Sequence, residues 1–104
     1  MMIRHIVLVN FKESIGETER EAIYDGLRAL KPKIDGLLAE TYGPNVSPEG
    51  LGQGFRDGFM MDFRDEAARD AYLVHLDHQA AGAKLVAALE GGIGGLVVFD
   101  VRVG

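Results

Sequence analysis

The chain has 104 residues, of which 47% are hydrophobic and 26% charged, a composition typical of one small globular domain. Its formal net charge of −5 argues against binding to nucleic acid or to an anionic membrane. The absence of cysteine excludes disulfides, thiolate catalysis and cysteine-based zinc sites. The apolar N-terminus is too short for a signal peptide or a membrane span, so we expect one cytoplasmic domain over residues 1–104.

The first predicted element is a strand in RHIVLVNF. Its side chains alternate between two faces, and both faces carry apolar residues, which is typical of a strand in the centre of a sheet. One face holds a histidine among apolar neighbours: Ile3, His5, Val7, Val9 and Phe11.

A helix follows, for which Thr18 and Glu21 fit a capping box. Its apolar stripe recurs at helical spacing and consists of Ile23, Leu27 and Leu30. Pro32 ends the pattern because an interior proline removes a helical hydrogen bond. The segment GLLAETYG then predicts a short strand, and PNVSPEGLGQG predicts a loop.

The next strand, FRDGFMMDF, places one acidic residue on an apolar face: Phe55, Asp57, Phe59, Met61 and Phe63. A buried charge needs a partner, and His5 faces the same problem on the first strand. If the two strands are neighbours, His5 and Asp57 can hydrogen-bond to each other. Such a pair either belongs to a functional site or only fixes the register of the sheet.

Asp65 is a good N-cap for a second helical region, which is long and contains a candidate break. GGIGG predicts a flexible turn, and LVVFDVRV predicts the last strand. The order β-α-β-β-α-β indicates an α+β fold, in which an antiparallel four-stranded sheet carries both helices on one face. The other face is expected to be apolar and to pack against a second copy; it includes Ile6, Leu8, Met60, Leu96 and Val98.

The stretch AYLVHLDHQ spaces Tyr72, His75 and His78 three residues apart. Steps of 300° keep the three side chains within about a third of the helix circumference, so all three can line one cavity if the helix bends. In the alternative interpretation one histidine packs at a helix junction and the other is exposed. Two histidines are too few ligands for a metal site, and we expect no metal.

Four stretches together resemble the Dabb family, the stress-responsive dimeric α/β-barrel domains: IRHIVLVNFK, GPNVSPEGLGQGF, AYLVHLDHQ and VVFDV. The resemblance covers nearly the whole chain. It implies a ferredoxin-like protomer, a homodimer whose two sheets form a barrel, and a small-molecule pocket between sheet and helices. Most members of the family have no assigned activity.

One plant branch of this family is a cofactor-free polyketide cyclase that catalyses an intramolecular aldol condensation. Position by position, the resemblance implies a catalytic pair at Tyr72 and His78, with further pocket histidines at His5 and His75. Three departures stand out. Leu76 replaces the usual proline, Asp57 replaces a pocket histidine, and GGIGG is added between helix and strand.

Three functions follow as hypotheses, all without a cofactor. The first is a stress-responsive dimer that binds a small apolar or polyketide-like ligand through His5, Asp57, Phe59 and His75, with no assigned activity. In the second, a cyclase-like enzyme, His78 is the general base and Tyr72 orients it or donates to an enolate oxygen. The third, a cofactor-free monooxygenase, rests on the fold alone.

Overall fold

The computed structural model describes all residues 1–104. The elements are β1 (Met2–Val9), α1 (Glu17–Arg28), β2 (Leu37–Pro44), β3 (Asp57–Phe63), α2 (Glu66–Val74), α3 (Leu76–Ala87) and β4 (Leu96–Val103). Short 3₁₀ turns lie at Lys31–Lys33 and Gly92–Gly95. The strand order is β2-β3-β1-β4 and every neighbouring pair is antiparallel, which confirms the predicted ferredoxin-like sheet with β1 at its centre. None of the helices is long and apolar enough to cross a membrane.

The hydrophobic core lies between the sheet and the helices. On β1, the buried residues alternate with more exposed ones, as the sequence predicts. The third strand contributes Phe59, Met61 and Phe63, each at most 5% exposed. Because these two strands pair residue by residue, their inward side chains form the floor on which the helices pack.

The start of α1 differs from the prediction. The N-cap is Gly16, its backbone is extended, and no side chain caps the helix, so the capping box at Thr18 and Glu21 is wrong. Both residues already lie within the helix. Acidic side chains in the first turn favour this start through the helix dipole. The stripe that ends at Leu27 and Leu30 is buried as predicted.

The face assignment of β4 also needs correction. Directly opposite residues in an antiparallel pair point to the same face, and Leu96 and Val98 lie opposite Val9 and Val7. Leu96 and Val98 therefore belong to the helix side of the sheet. The side without helices, here called the open face, carries an apolar patch of Ile6, Leu8, Met60, Val97 and Phe99, with the Arg4–Asp62 ion pair beside it.

Candidate functional site

The second helical region is divided at a single residue. The first segment, α2, ends at Val74, and α3 begins at Leu76. Between them His75 has an extended backbone, with φ −67° and ψ 131°, and its Nδ1 accepts a hydrogen bond from the Asp77 N–H at 3.1 Å. His75 is thus the N-cap of α3. The break that a proline would enforce is made by this histidine.

The first testable prediction concerns Leu76, which is the first residue of α3 and 77% exposed. A first-turn N–H has no helical acceptor, and the preceding residue is already extended, as proline requires. We expect Leu76→Pro to stabilise the fold by about 0.4–1 kcal/mol, because proline restricts the unfolded chain. Urea unfolding followed by circular dichroism measures the change.

The matched control is Leu73→Pro, also at an exposed leucine but inside α2. There proline removes a helical hydrogen bond and costs about 3 kcal/mol. If Leu76→Pro destabilises the protein as much as Leu73→Pro does, the description of Leu76 as a first-turn position is wrong.

The change in helix direction at His75 brings His78 onto Tyr72. The two ring centroids are 4.0 Å apart, with an interplanar angle of 41°. The ring of Tyr72 also packs on Phe63, at 5.1 Å, and meets the edge of His5 at 6.0 Å. Three of the sequence-predicted site residues, Tyr72, His78 and His5, therefore lie together around one buried tyrosine ring.

His78 is half-buried, and its Nδ1 lies 3.4 Å from the Leu73 carbonyl oxygen. If Nδ1 donates its proton to that carbonyl, Nε2 keeps a free lone pair. Burial lowers the pKa of His78 below its ordinary value of 6.5, and the neighbouring His5 and His75 lower it further. The hydrogen bond to the Leu73 carbonyl acts in the opposite direction and raises this pKa. A Cβ added to Gly82 would meet only Nε2 of His78, at 4.0 Å, so there is space beside this nitrogen.

Tyr72 is 1% exposed. Burial raises the pKa of its hydroxyl far above the ordinary value of 10.0, and the Glu40 carboxylate raises it further. The hydroxyl therefore keeps its proton at neutral pH and is available as a hydrogen-bond donor.

His5 is paired with Asp100, a residue that the sequence pattern does not predict as its partner. Its Nδ1 lies 2.6 Å from Oδ1 of Asp100, the residue directly opposite on β4. The other carboxylate oxygen of Asp100 accepts from Arg69 Nη1 of α2, also at 2.6 Å. Because a carboxylate only accepts, Nδ1 of His5 carries the proton and its orientation is fixed. Asp100 could have been found as the one acidic residue in the apolar segment LVVFDVRV.

The predicted hydrogen bond between His5 and Asp57 is therefore wrong. β1 and β3 are neighbours, but Asp57 lies opposite Val9, while His5 lies opposite Met61. Four residues along a strand separate the two positions by about 13 Å. Alternation within each strand predicts the faces of β1 and β3 correctly, but it does not specify the register between them.

The other predicted ligand contacts lie apart from the Tyr72–His78 pair. Phe59 is buried in a second aromatic group with Tyr42 and Tyr24, at centroid distances of 5.3 and 6.1 Å. His75 caps α3, and Asp57 begins β3. No three histidine, aspartate or glutamate side chains converge as metal ligands do.

Two cavities are prominent in the protomer. One, of about 800 Å³, lies on the open face beneath the loop before β3, with Leu8, Met60 and Val97 in its lining. The other, of about 590 Å³, is polar and lies near Asn10 and Arg56. Neither is lined by Tyr72, His78 or His5.

The antiparallel sheet with helices on one face places the chain among the small ferredoxin-like domains. Residues 3–103 match the Stress responsive A/B Barrel Domain family, Dabb, and the chain belongs to this family. The stress-response A/B barrel domain-containing protein HS1 of Arabidopsis thaliana is 29% identical over 76 residues, which cover 73% of this chain and 70% of that protein.

Solved structures show the same fold. A dimeric ferredoxin-like protein of unknown function from Jannaschia sp. CCS1 is 36% identical and superposes with a TM-score of 0.85, over 99% of this chain and 100% of that one. The hydroxynitrile lyase of Passiflora edulis superposes with a TM-score of 0.86 at 17% identity, over 99% of this chain and 94% of its own. At that identity the likeness concerns the fold alone.

Proposed function

We propose that this Dabb protein is a homodimer that binds a small carbonyl compound beside Tyr72 and His78 in each protomer. The observation that carries the proposal is the His78 imidazole, which is half-buried, stacked on Tyr72 and flanked at Nε2 by the space over Gly82. A polar group held in this way inside an apolar layer is typical of a binding site. The exposed leucines at the helix break, Leu73 and Leu76, provide an apolar rim.

The dimer is proposed from the open face. Leu8, Met60 and Phe99 on this face are 40%, 40% and 61% exposed, and a contiguous apolar sheet surface of this kind usually marks an interface. The Jannaschia relative is described as dimeric, which supports the same arrangement here. A second copy would also cover the cavity beneath the loop before β3.

A second candidate, a cyclase-like enzyme, is favoured by the protonation states at the site. A neutral His78 can accept a proton from a carbon next to a carbonyl, and the protonated Tyr72 can donate a hydrogen bond to the enolate oxygen that forms. In an intramolecular aldol step, the enolate carbon attacks a second carbonyl, and the new alkoxide takes the proton from His78. Arg69 and Asp100 would act indirectly, by holding His5.

Binding can be tested with ethyl acetoacetate, a small compound with two carbonyl groups. We expect its addition to shift the imidazole NMR signals of His78 and His5, because both rings border Tyr72. The signals of His75, which caps α3 at the surface, serve as the internal control. Unchanged His78 signals at millimolar concentrations of the compound would contradict the proposed site.

A further inference from the structure

Three buried polar atoms on the β2 side of the interior make no hydrogen bond of good geometry, although the Tyr42 hydroxyl and the Glu40 carboxylate lie close enough to interact with each other. They are the hydroxyl oxygens of Tyr24 and Tyr42 and one carboxylate oxygen, Oε2, of Glu40. Buried polar groups in folded proteins are nearly always paired, since leaving them unpaired costs stability. A group of three such atoms at one place therefore needs an explanation.

The strand register shows that these atoms share one environment. Glu40 lies opposite Met61 and Tyr42 lies opposite Phe59, and both partners are buried beneath the helices. From α1, Tyr24 packs on the ring of Tyr42 with centroids 4.9 Å apart. The result is an aromatic wall that carries an acceptor and two hydroxyls on the helix side of the sheet.

This polar group lies on the same helix-covered side of the sheet as the Tyr72–His78 pair, within electrostatic range of Tyr72. The Glu40 carboxylate acts electrostatically on Tyr72, and Tyr72 on Tyr42. Glu40, Met61 and His5 form one row across three strands, so Glu40 and His5 are separated by two strand spacings, about 10 Å. That distance is suited to the length of a small ligand.

We infer that Glu40, Tyr42 and Tyr24 form the second half of the ligand site and bind a hydroxyl group of the ligand. The hydroxyl donates to Oε2 of Glu40, and its oxygen accepts from a tyrosine hydroxyl. This inference rests on the proposed function, because it assigns the end of the same ligand that is remote from His78.

The surrounding charges favour a neutral hydroxyl over an ammonium group. The Arg28 guanidinium lies 4.6 Å from the centroid of the Tyr42 ring, so the outer side of the aromatic wall already carries a cation. Burial raises the pKa of Glu40, while Lys31 and Arg28 oppose this shift. A ligand cation would be repelled by Lys31 and Arg28, whereas a hydroxyl satisfies the unpaired oxygens without adding charge.

The test compares benzyl alcohol with benzyl methyl ether, which share a ring and an oxygen but differ in the hydrogen-bond donor. NMR titration of the parent should give about tenfold tighter binding of the alcohol, equivalent to roughly 1.4 kcal/mol. Glu40→Leu should abolish this preference, and Glu19→Leu, at an exposed position of α1, should retain it. Equal affinities in the parent, a preference that survives in Glu40→Leu, or no binding of either compound would overturn the inference.

A second measurement tests the alternative that the Tyr42 hydroxyl is already hydrogen-bonded to another group of the protein. If Tyr42 has no partner in the free protein, Tyr42→Phe should leave the Tm unchanged or raise it by a few degrees, while weakening benzyl alcohol binding. A fall in Tm of several degrees would mean that the hydroxyl is satisfied within the protein, and the inference would fail. Neither probe carries a carbonyl group, so both results are independent of ethyl acetoacetate binding at His78.

Discussion

A Leu8→Glu protein is expected to sediment as an 11.3 kDa monomer, whereas the parent is expected to sediment at twice that mass at low micromolar concentration. Leu8 lies on the central strand, in the middle of the open face. In a symmetric dimer the substitution buries two like charges, each of which costs several kcal/mol when it is unpaired. The dissociation constant should therefore rise by at least about a thousandfold, which corresponds to roughly 4 kcal/mol. Sedimentation equilibrium measures both masses.

Two further variants make this result interpretable. Phe99→Glu changes an edge strand of the same face, where a fold defect is less of a concern, and should also give monomers. Val74→Glu introduces the same charge at a residue that is 70% exposed on the helix side, and should leave the dimer intact. If the parent protein is monomeric at these concentrations, the proposed homodimer, in which two sheets form a barrel, is wrong.

Much of the fold could be predicted because local patterns and burial agree. The alternation in β1 matches its burial, since every second residue is buried beneath the helices, and Asp65 accepts a hydrogen bond from the Ala68 N–H, as its N-cap position predicts. The errors occur where two local patterns compete. Thr18 and Glu21 satisfy a capping box, but Gly16 already begins the helix.

The last strand shows a different limit. LVVFDVRV is apolar at consecutive positions, so its phase with respect to the sheet cannot be determined from hydrophobicity. The segment GGIGG makes the phase of this strand harder to predict. It is not a flexible connection, since Gly91 has a left-handed backbone and a 3₁₀ turn follows it. A shift of the strand by one residue decides whether Val98 or Phe99 points to the open face.

The candidate site was predictable residue by residue but not pair by pair. The spacing in AYLVHLDHQ and the family resemblance both single out Tyr72 and His78, and the structure brings these two rings into contact. The partner of His5 depends on the register between strands that are far apart in sequence. Two acidic residues, Asp57 and Asp100, were equivalent by pattern, and only the strand pairing selects Asp100.

A His78→Ala protein is expected to lose at least about 100-fold in the rate at which it exchanges the protons between the two carbonyls of ethyl acetoacetate. General-base catalysis contributes roughly 10²–10⁴-fold, and Nε2 of His78 is the proposed acceptor. Tyr72→Phe should lower the same rate, because it removes the proposed donor to the enolate oxygen. Deuterium incorporation in heavy water, followed by proton NMR and corrected for the uncatalysed rate, measures the loss.

The pH dependence identifies the base. Because burial lowers the pKa of His78 below 6.5, the imidazole is neutral above that pH, and its neutral fraction falls only as the pH drops through the lowered pKa. From pH 7 upward, protonation of His78 should therefore no longer lower the exchange rate. At a pH below 6.5 this rate should fall to half of its maximum. The control, His75→Asn, keeps an N-cap side chain on α3 and removes the neighbouring imidazole, so its rate should stay within about a factor of two of the parent. A full exchange rate in His78→Ala, or a half-maximal pH well above 6.5, would leave the Tyr72–His78 pair with a binding role only.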